Sequence, residues 1–210
     1  MGKIEITKKV LGICATNCYT VVDTETKEAL IIDPADRADV LIRDWKDKGV
    51  TPQAVLLTHG HFDHIGALAG VKKEYPDIKV YAAAAEKEVM ESPALNLSSS
   101  FGAAFTAQAD IYLEDGTEIE VLGRTCKCLL VPGHTKGGIC YYFPEEKVVF
   151  TGDTLFCYSV GRTDFPTGDA RALEEAIREK LFTLPDETLV LPGHDAQTMI
   201  GKEKTGNPYF

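Results

Sequence analysis

The alternation of apolar and polar positions predicts strands interleaved with short helices. In the first half, runs rich in β-branched residues predict strands over 17–23, 29–33, 54–57 and 79–83. Apolar residues at helical spacing predict helices over 36–49, 65–75 and 84–91. The second half predicts strands over 117–122, 125–131, 138–143, 147–151 and 188–191, and a helix over 170–182 that Asp169 caps. Two sets of strands with helices beside them predict two packed sheets with helices outside.

Two segments carry no regular pattern. The Ser, Ala and Gly content of residues 92–110 predicts a long loop or lid, and residues 154–168 also predict a loop. No Gly/Ser-rich or Pro-rich linker divides the chain. Because the candidate chemistry below draws on both halves, we expect residues 1–210 to form a single domain.

Composition and charge narrow the classes of partner and location. The 210 residues are 44% hydrophobic and 26% charged, which is typical of a globular protein with a sizeable core. A net charge of −10 repels nucleic-acid phosphates and acidic membranes, so we expect neither as a partner. No apolar run approaches the ~18 residues of a transmembrane helix. The opening MGKIEITKKV lacks the apolar stretch of a signal peptide, so the expected location is the cytoplasm.

All five histidines follow predicted strands. Three lie in Thr-His-Gly-His-Phe-Asp-His at positions 58–64, and the other two each follow Pro-Gly after an apolar run. Two aspartates accompany them, one inside the first motif and one in Thr-Gly-Asp after the predicted strand 147–151. The seven candidate ligands are His59, His61, Asp63, His64, His134, Asp153 and His194.

Imidazole and carboxylate are the ligands that zinc, iron and manganese prefer, and seven are too many for one four-coordinate ion. They suit two ions, which lie about 3.5–4 Å apart in binuclear hydrolases. A single histidine after a strand is commonly a hydrogen-bonded structural residue, and Asp63 could cap the helix that follows it. However, gathering so many chargeable groups at strand ends costs free energy unless something neutralises them. The set therefore favours metal binding.

The motif His-x-His-x-Asp-His with a later His, Asp and His resembles the metallo-β-lactamase superfamily. This resemblance implies an α+β fold, a four-layer αββα sandwich with the site at one edge. It implies two divalent metal ions, Zn²⁺ first and iron or manganese as alternatives. The implied ligands are His59, His61 and His134 on one ion and Asp63, His64 and His194 on the other, with Asp153 bridging both.

Gly-Arg-Thr-Asp-Phe-Pro-Thr-Gly-Asp at 161–169 and the ending from Pro-Gly-His to Asn-Pro resemble the short bacterial glyoxalase II-like hydrolases. The longer enzymes of that group have a helical C-terminal domain that carries part of the glutathione site. The resemblance implies hydrolysis of a small-molecule thioester by a hydroxide that the two ions share, with Asp63 and Asp153 as catalytic carboxylates. It places Arg162 as a substrate-binding residue, although Arg162 could instead be an exposed arginine paired with Asp164 or Asp169.

Two other functions fit the same residues. Persulfide dioxygenases share this fold and use a single iron, which by resemblance would be held by His59, His134 and Asp153. A metal-binding protein without catalytic activity is the third possibility. The short chain and its ending favour the hydrolase.

The six cysteines lack the paired C-x-x-C spacing of a structural zinc site, and we expect reduced thiols. Cys157 lies four residues after Asp153 and is either a redox-sensitive thiol or, as we favour, a small buried hydrophobic residue. Cys126 and Cys128 alternate along a predicted strand, which indicates packing on one face.

Overall fold

The computed structural model describes residues 2–210, which form two six-stranded sheets packed face to face. The first sheet has the spatial order β1 (Ile4–Leu11), β2 (Thr16–Asp23), β3 (Glu28–Ile32), β4 (Thr51–Leu56), β5 (Lys79–Ala83) and β6 (Ile111–Leu113). Its first three strands are antiparallel neighbours, and β3 to β6 pair in parallel.

The second sheet is mostly antiparallel. Its members are β7 (Glu118–Val121), β8 (Arg124–Leu130), β9 (Ile139–Phe143), β10 (Val148–Gly152), β13 (Leu189–Pro192) and β14 (Thr198–Met199). The spatial order is β14-β13-β10-β9-β8-β7, with β10 and β13 parallel. A separate hairpin consists of β11 (Leu155–Phe156) and β12 (Ser159–Val160).

Helices cover the outer faces of both sheets. On the first sheet lie α1 (Ala38–Asp47), α2 (Phe62–Ile65), α3 (Leu68–Glu74) and α4 (Lys87–Met90). On the second sheet lie α5 (Ala170–Ala176) and α6 (Ile200–Gly206). Trp45 of α1 is fully buried, and its indole nitrogen donates to the hydroxyl of Thr20 at 3.1 Å. The predicted αββα, α+β architecture is confirmed.

The inner faces of the two sheets form one apolar core. Tyr19 packs edge-on against Phe150 across the interface, with ring centroids 5.3 Å apart. Two buried tyrosine hydroxyls also bridge the sheets. Tyr19 Oη donates to the carbonyl of Pro192 at 2.7 Å, and Tyr141 Oη donates to the carbonyl of Leu57 at 2.8 Å. Both carbonyls lie just before a segment that carries candidate ligands.

The strands and helices at the centre of the fold match the predictions, and the differences lie at the periphery. Strand β1 was not predicted, because it is an edge strand with a lysine-rich, partly exposed face. The predicted loop 154–168 was wrong in part, since it contains the β11–β12 hairpin. Strands β6 and β14 are only three and two residues long, too short to give a periodic pattern.

The predicted helix 170–182 is α-helical only through Ala176 and continues as one π-helical stretch, Ile177–Leu181. Its predicted cap is confirmed, because the Asp169 carboxylate accepts from the backbone N–H groups of Arg171 and Ala172. Residues 92–110 form the predicted loop with a single 3₁₀ turn at Ser98–Ser100.

Cys126 and Cys128 are both buried in the core between the sheets, as predicted, and all six cysteines are free thiols. Among residues 2–210, no helix combines the length and the apolar character needed to cross a membrane.

We expect Tyr141→Phe to lower the free energy of unfolding by about 1–3 kcal/mol, because the Leu57 carbonyl loses a buried donor. In a chain of this size the midpoint of thermal unfolding should fall by roughly 2–4 °C per kcal/mol. Tyr158→Phe is the matched control, since Tyr158 is 50% exposed and should show no change. Equal midpoints for the two variants would contradict the bridging role of Tyr141.

Candidate metal centre

The candidate ligands come together because the strands that precede them end at one edge of the sandwich. The segments follow β4, β8, β10 and β13. Two backbone hydrogen bonds join the sheets at this edge. Ile139 N donates to the carbonyl of Thr58 at 2.9 Å, and Asn17 N donates to the carbonyl of Gly193 at 2.7 Å. The two sheets therefore hold the loops of both halves against each other.

All seven predicted residues lie in one cluster. Three groups each place their donor atoms within 4.8 Å of one another: His59, His61 and His134; His59, His64 and Asp153; Asp63, His64 and His194. Asp153 lies between the first and third groups. Its Oδ1 is 3.3 Å from His64 Nε2, and its Oδ2 is 3.6 Å from His134 Nε2 and 3.3 Å from His194 Nε2. The juxtaposition agrees with the predicted division into two ligand sets, whose role in metal binding stays a prediction.

Hydrogen bonds on Nδ1 orient three of the imidazoles. His64 Nδ1 donates to Asp33 Oδ2 at 2.9 Å, and His134 Nδ1 donates to the carbonyl of Arg162 at 2.7 Å. The Thr58 hydroxyl donates to Asp33 Oδ2 at 2.6 Å, so its oxygen is free to accept from His59 Nδ1 at 3.1 Å. In each of these rings Nε2 is therefore the nitrogen left to bind a metal ion, which is the arrangement found around metal-binding histidines.

Several buried donor atoms in the cluster have no hydrogen-bond partner among the described residues. They are the Nε2 atoms of His59, His61 and His64, and Oδ1 of Asp153. An unpartnered buried polar atom costs about 1–3 kcal/mol, so several of them within one cluster of ligand-type residues favour a bound ion. Nitrogen and carboxylate oxygen are the atoms that bind zinc, iron and manganese. The residues therefore fit a metal site.

Burial and the neighbouring carboxylates shift the pKa values of the clustered imidazoles in opposite directions. Burial by itself would lower the pKa of His64, but the surrounding carboxylates, Asp63 first, raise it well above its ordinary value. Burial likewise opposes protonation of His194, yet its hydrogen bonds to Asp153 and Asp63 raise its pKa to about 9. Burial lowers the pKa of His61 to about 3. The carboxylates thus favour positive charge at His64 and His194, and a bound metal ion would supply that charge in place of protons.

Two glycines let the ligand loops approach closely. A Cβ on Gly193 would lie 2.3 Å from Asp153 Oδ1 and 2.7 Å from His64 Cε1. A Cβ on Gly152 would lie 2.2 Å from the hydroxyl oxygen of Thr58, and Gly152 has a φ of 50°. The glycines of the Pro-Gly-His and Thr-Gly-Asp motifs are therefore required by space, and at Gly152 also by backbone conformation.

The sequence analysis missed two buried carboxylates that support the cluster. Asp33 accepts from Thr58 N, Thr58 Oγ1 and His64 Nδ1. Glu86 accepts from Gly60 N at 2.7 Å, Thr135 Oγ1 at 2.5 Å and Gly137 N at 2.9 Å. Glu86 therefore joins the loop that carries His59 and His61 to the loop that carries His134. The only local signal was that each acid ends or follows an apolar strand.

Arg162 lies beside the cluster with its guanidinium exposed. Its Nε and Nη2 each donate to the Asp164 carboxylate at 2.7 Å, and its guanidinium carbon lies 4.0 Å from the ring centroid of Phe165. The pairing with Asp164 that we held open is thus present. A contact of Arg162 with substrate remains a prediction.

A cavity of about 420 Å³, the site cavity, opens onto the cluster and is lined by residues of both ligand sets. Cys14, from the turn between β1 and β2, also lines it. Cys157 is half-buried rather than buried and is absent from its wall, so the expected burial of Cys157 is only partly correct.

Glu86→Ala should lower the free energy of unfolding by at least about 3 kcal/mol, because three buried donors lose their acceptor. Glu86→Gln keeps one acceptor oxygen and should cause a smaller loss. Chemical denaturation measures both. Glu88→Ala is the control, since Glu88 is largely exposed and its ion pair with Lys136 contributes at most about 1 kcal/mol. Similar losses for Glu86→Ala and Glu88→Ala would refute the anchoring role.

Known proteins share this fold and much of this sequence. The family model described as the metallo-β-lactamase superfamily matches residues 11–194. The probable metallo-hydrolase YqgX of Bacillus subtilis is 38% identical over 202 residues, which cover 95% of this chain and 94% of that protein. The hydroxyacylglutathione hydrolase GloC of Haemophilus influenzae is 36% identical over 200 residues, which cover 92% of each.

Solved structures agree with this similarity. BLEG-1 B3 metallo-β-lactamase superposes with a TM-score of 0.92 at 39% identity, covering 98% of this chain and 99% of that one. TTHA1623 in a di-iron-bound form superposes with a TM-score of 0.86 at 36% identity, covering 97% of this chain and 100% of that one. ETHE1 from Myxococcus xanthus superposes with a TM-score of 0.81 at 31% identity, covering 97% of this chain and 83% of that one. With the family model matched over most of its length, the chain belongs to the metallo-β-lactamase superfamily.

Proposed function

We propose that the protein is a binuclear metal-dependent hydrolase that cleaves a small-molecule thioester. The observation that carries this proposal is the cluster itself, in which two sets of three candidate ligands flank Asp153 beside one open cavity. The similarity to a protein named as a hydroxyacylglutathione hydrolase supports a thioester as the substrate.

The described residues divide naturally between two metal ions. His59, His61 and His134 would hold one, and Asp63, His64 and His194 the other, with Asp153 shared. Two bound divalent cations would supply a water of lowered pKa and a Lewis acid for the substrate carbonyl. We propose zinc first and iron next, because a similar solved structure is in a di-iron-bound form; manganese is the third candidate.

The chain's own residues position this chemistry. Thr16 Oγ1 donates to Asp63 Oδ2 at 2.7 Å and fixes the carboxylate against His194, whose Nε2 lies 3.4 Å away. All five histidines belong to the cluster, so none remains as a general acid. A thiolate with an ordinary pKa of ~8.5 leaves without one. Arg162, by exchanging Asp164 for a substrate carboxylate, would hold the thiol carrier.

The alternative of a single-iron persulfide dioxygenase uses His59, His134 and Asp153, which lie in the same cluster. Metal content and oxygen dependence distinguish it from the hydrolase. The cytoplasmic location and the absence of nucleic-acid and membrane partners remain predictions from charge and sequence.

Protein purified without added metal or chelator should contain nearly two equivalents of zinc, iron or manganese per chain by mass spectrometry. It should hydrolyse a hydroxyacylglutathione, and removal of metal by a chelator should abolish the reaction until metal is restored. Asp63→Ala should lose metal and should reduce turnover by more than the ~10–100-fold typical of residues that only support ligands. One equivalent of iron, with oxygen uptake on glutathione persulfide, would instead establish the dioxygenase.

Asp33→Asn should weaken metal retention about 10–100-fold, because one carboxylate orients both His64 and His59 and an amide offers only one acceptor oxygen. Competition with a chelator of known affinity measures this effect. Asp39→Asn is the matched control, because Asp39 is an exposed partner of Arg37. Unchanged retention in Asp33→Asn would show that the imidazoles are oriented by packing alone.

A further inference from the structure

Two further cavities continue from the site cavity along one side of the molecule. The middle cavity, about 320 Å³, shares Phe62, Asp63 and Phe101 with the site cavity. The distal cavity, about 630 Å³, shares Gly66 and Phe105 with the middle one. Each neighbouring pair shares lining residues, so the three cavities lie in a row that begins beside Asp63 and leads away from the cluster; we call this row the groove.

The middle cavity is apolar and open to solvent. Ile13 and Phe101 line it, and they are 78% and 51% exposed. Its only charged lining residues in the described chain are Asp36 and the ligand candidate Asp63. Large apolar side chains that converge on a cavity while facing water are typical of a surface that an apolar ligand covers.

Hydrogen bonds hold the loop that carries Phe101, which forms one wall of the middle cavity. Ser98 Oγ accepts from Phe105 N at 3.0 Å and donates to the carbonyl of Phe105 at 3.1 Å, which closes the base of the loop that carries Phe101. The carbonyl of Asn96 accepts from Phe62 N at 2.8 Å, so this loop is tied to the residue before Asp63. Phe101 stacks on Phe62 with ring centroids 4.7 Å apart. Part of the segment predicted as a loop or lid thus forms a hydrogen-bonded apolar wall of the middle cavity.

The opposite side of the site cavity is different in character. There Arg162 and Phe165 lie next to the candidate ligands His61 and His134. A thioester carries an acyl group on its carbonyl carbon and a thiol carrier on its sulfur. The two sides of the site offer different surroundings for these two groups. Arg162, on exchanging Asp164 for an anionic group of the thiol carrier, would hold the thiol side of the substrate, which leaves the apolar groove to the acyl group.

We propose that the groove lined by Ile13, Phe62, Phe101 and Phe105 binds the hydrocarbon chain of a fatty acyl thioester. This inference rests on the proposed thioesterase function and names its substrate class. In the reaction, the C–S bond breaks, a C–O bond to the oxygen of water forms, and the products are a fatty acid and a free thiol that receives the proton. The groove contributes by burying the chain and places no group on the reacting atoms.

The test uses the metal-loaded protein and N-acetylcysteamine thioesters of acetate, butanoate, octanoate and dodecanoate, which keep the thiol constant. Each methylene buried should raise kcat/KM by up to about three- to fourfold, so octanoyl should exceed acetyl by at least about tenfold. Phe101→Ser should reduce the octanoyl-to-acetyl ratio severalfold. Tyr209→Ser removes a similarly exposed aromatic ring, 58% exposed, outside the groove and should keep the wild-type ratio.

A second variant tests the length of the groove. Ala69 is exposed on α3 and lines the distal cavity, so Ala69→Phe should shorten the groove without disturbing the core. The dodecanoyl-to-butanoyl ratio of kcat/KM should fall severalfold. A ratio that does not change would show that the chain never reaches the distal cavity and would overturn this part of the groove.

Thioether analogues of the same chain lengths, from acetyl to dodecanoyl, cannot be hydrolysed. Measuring their binding by calorimetry tests the groove independently of the proposed hydrolase function. Tighter binding with chain length that Phe101→Ser removes, without hydrolysis of any thioester, would support the groove and refute the hydrolase. Hydrolysis with no dependence on chain length would refute the groove and leave the hydrolase standing. If a second copy of the chain covers the groove instead, Phe101→Ser should lower the molecular mass measured by sedimentation. The octanoyl-to-acetyl ratio of kcat/KM should then stay unchanged, and this result would also overturn the proposal.

Discussion

The carboxylate of Asp33 accepts three buried hydrogen bonds at the edge where the two sheets meet, and the histidine cluster is organised around it. Through His64 it orients a member of one ligand set, and through Thr58 and His59 it orients a member of the other. One acid therefore couples the two halves of the candidate site. Such a group is costly to bury without partners, so the surrounding loops must keep their positions for the fold to be stable.

The positions of these loops depend on close approach between the sheets. Gly152 and Gly193 let the loops after β10 and β13 lie against Thr58, Asp153 and His64, where a side chain would collide. The buried hydroxyls of Tyr19 and Tyr141 hold the ends of β13 and β4, respectively, across the core. The architecture thus supplies the space for the candidate ligands and the contacts that hold them together in one cluster, as a metal site requires.

The ending that resembles glyoxalase II-like hydrolases has a structural explanation. Glu203, fully buried in α6, accepts from the backbone N–H of Tyr158 and from the side chains of Thr198 and Asn207. It therefore fastens the C-terminal helix to the β11–β12 hairpin, and the chain segment after that hairpin carries Arg162. These contacts account for the Glu and Asn of the ending without any contact with substrate. The residues that line the apolar groove on the other side of the site cavity, in contrast, belong to no sequence motif that the resemblance identified.

Strand and helix periodicity together with the family resemblance predicted the αββα fold, and the local motif His-x-His-x-Asp-His with the later His, Asp and His was enough to predict the seven candidate ligands. The sequence also identified the cap at Asp169 and the long loop over 92–110. It could not identify Asp33 or Glu86 as supports, since their partners lie 25 to 51 residues away and no periodicity records such contacts. Nor could it show that Ile13 and Phe101 line one groove. Those contacts depend on tertiary packing, because side chains that are distant along the chain meet only where the two sheets and their loops converge.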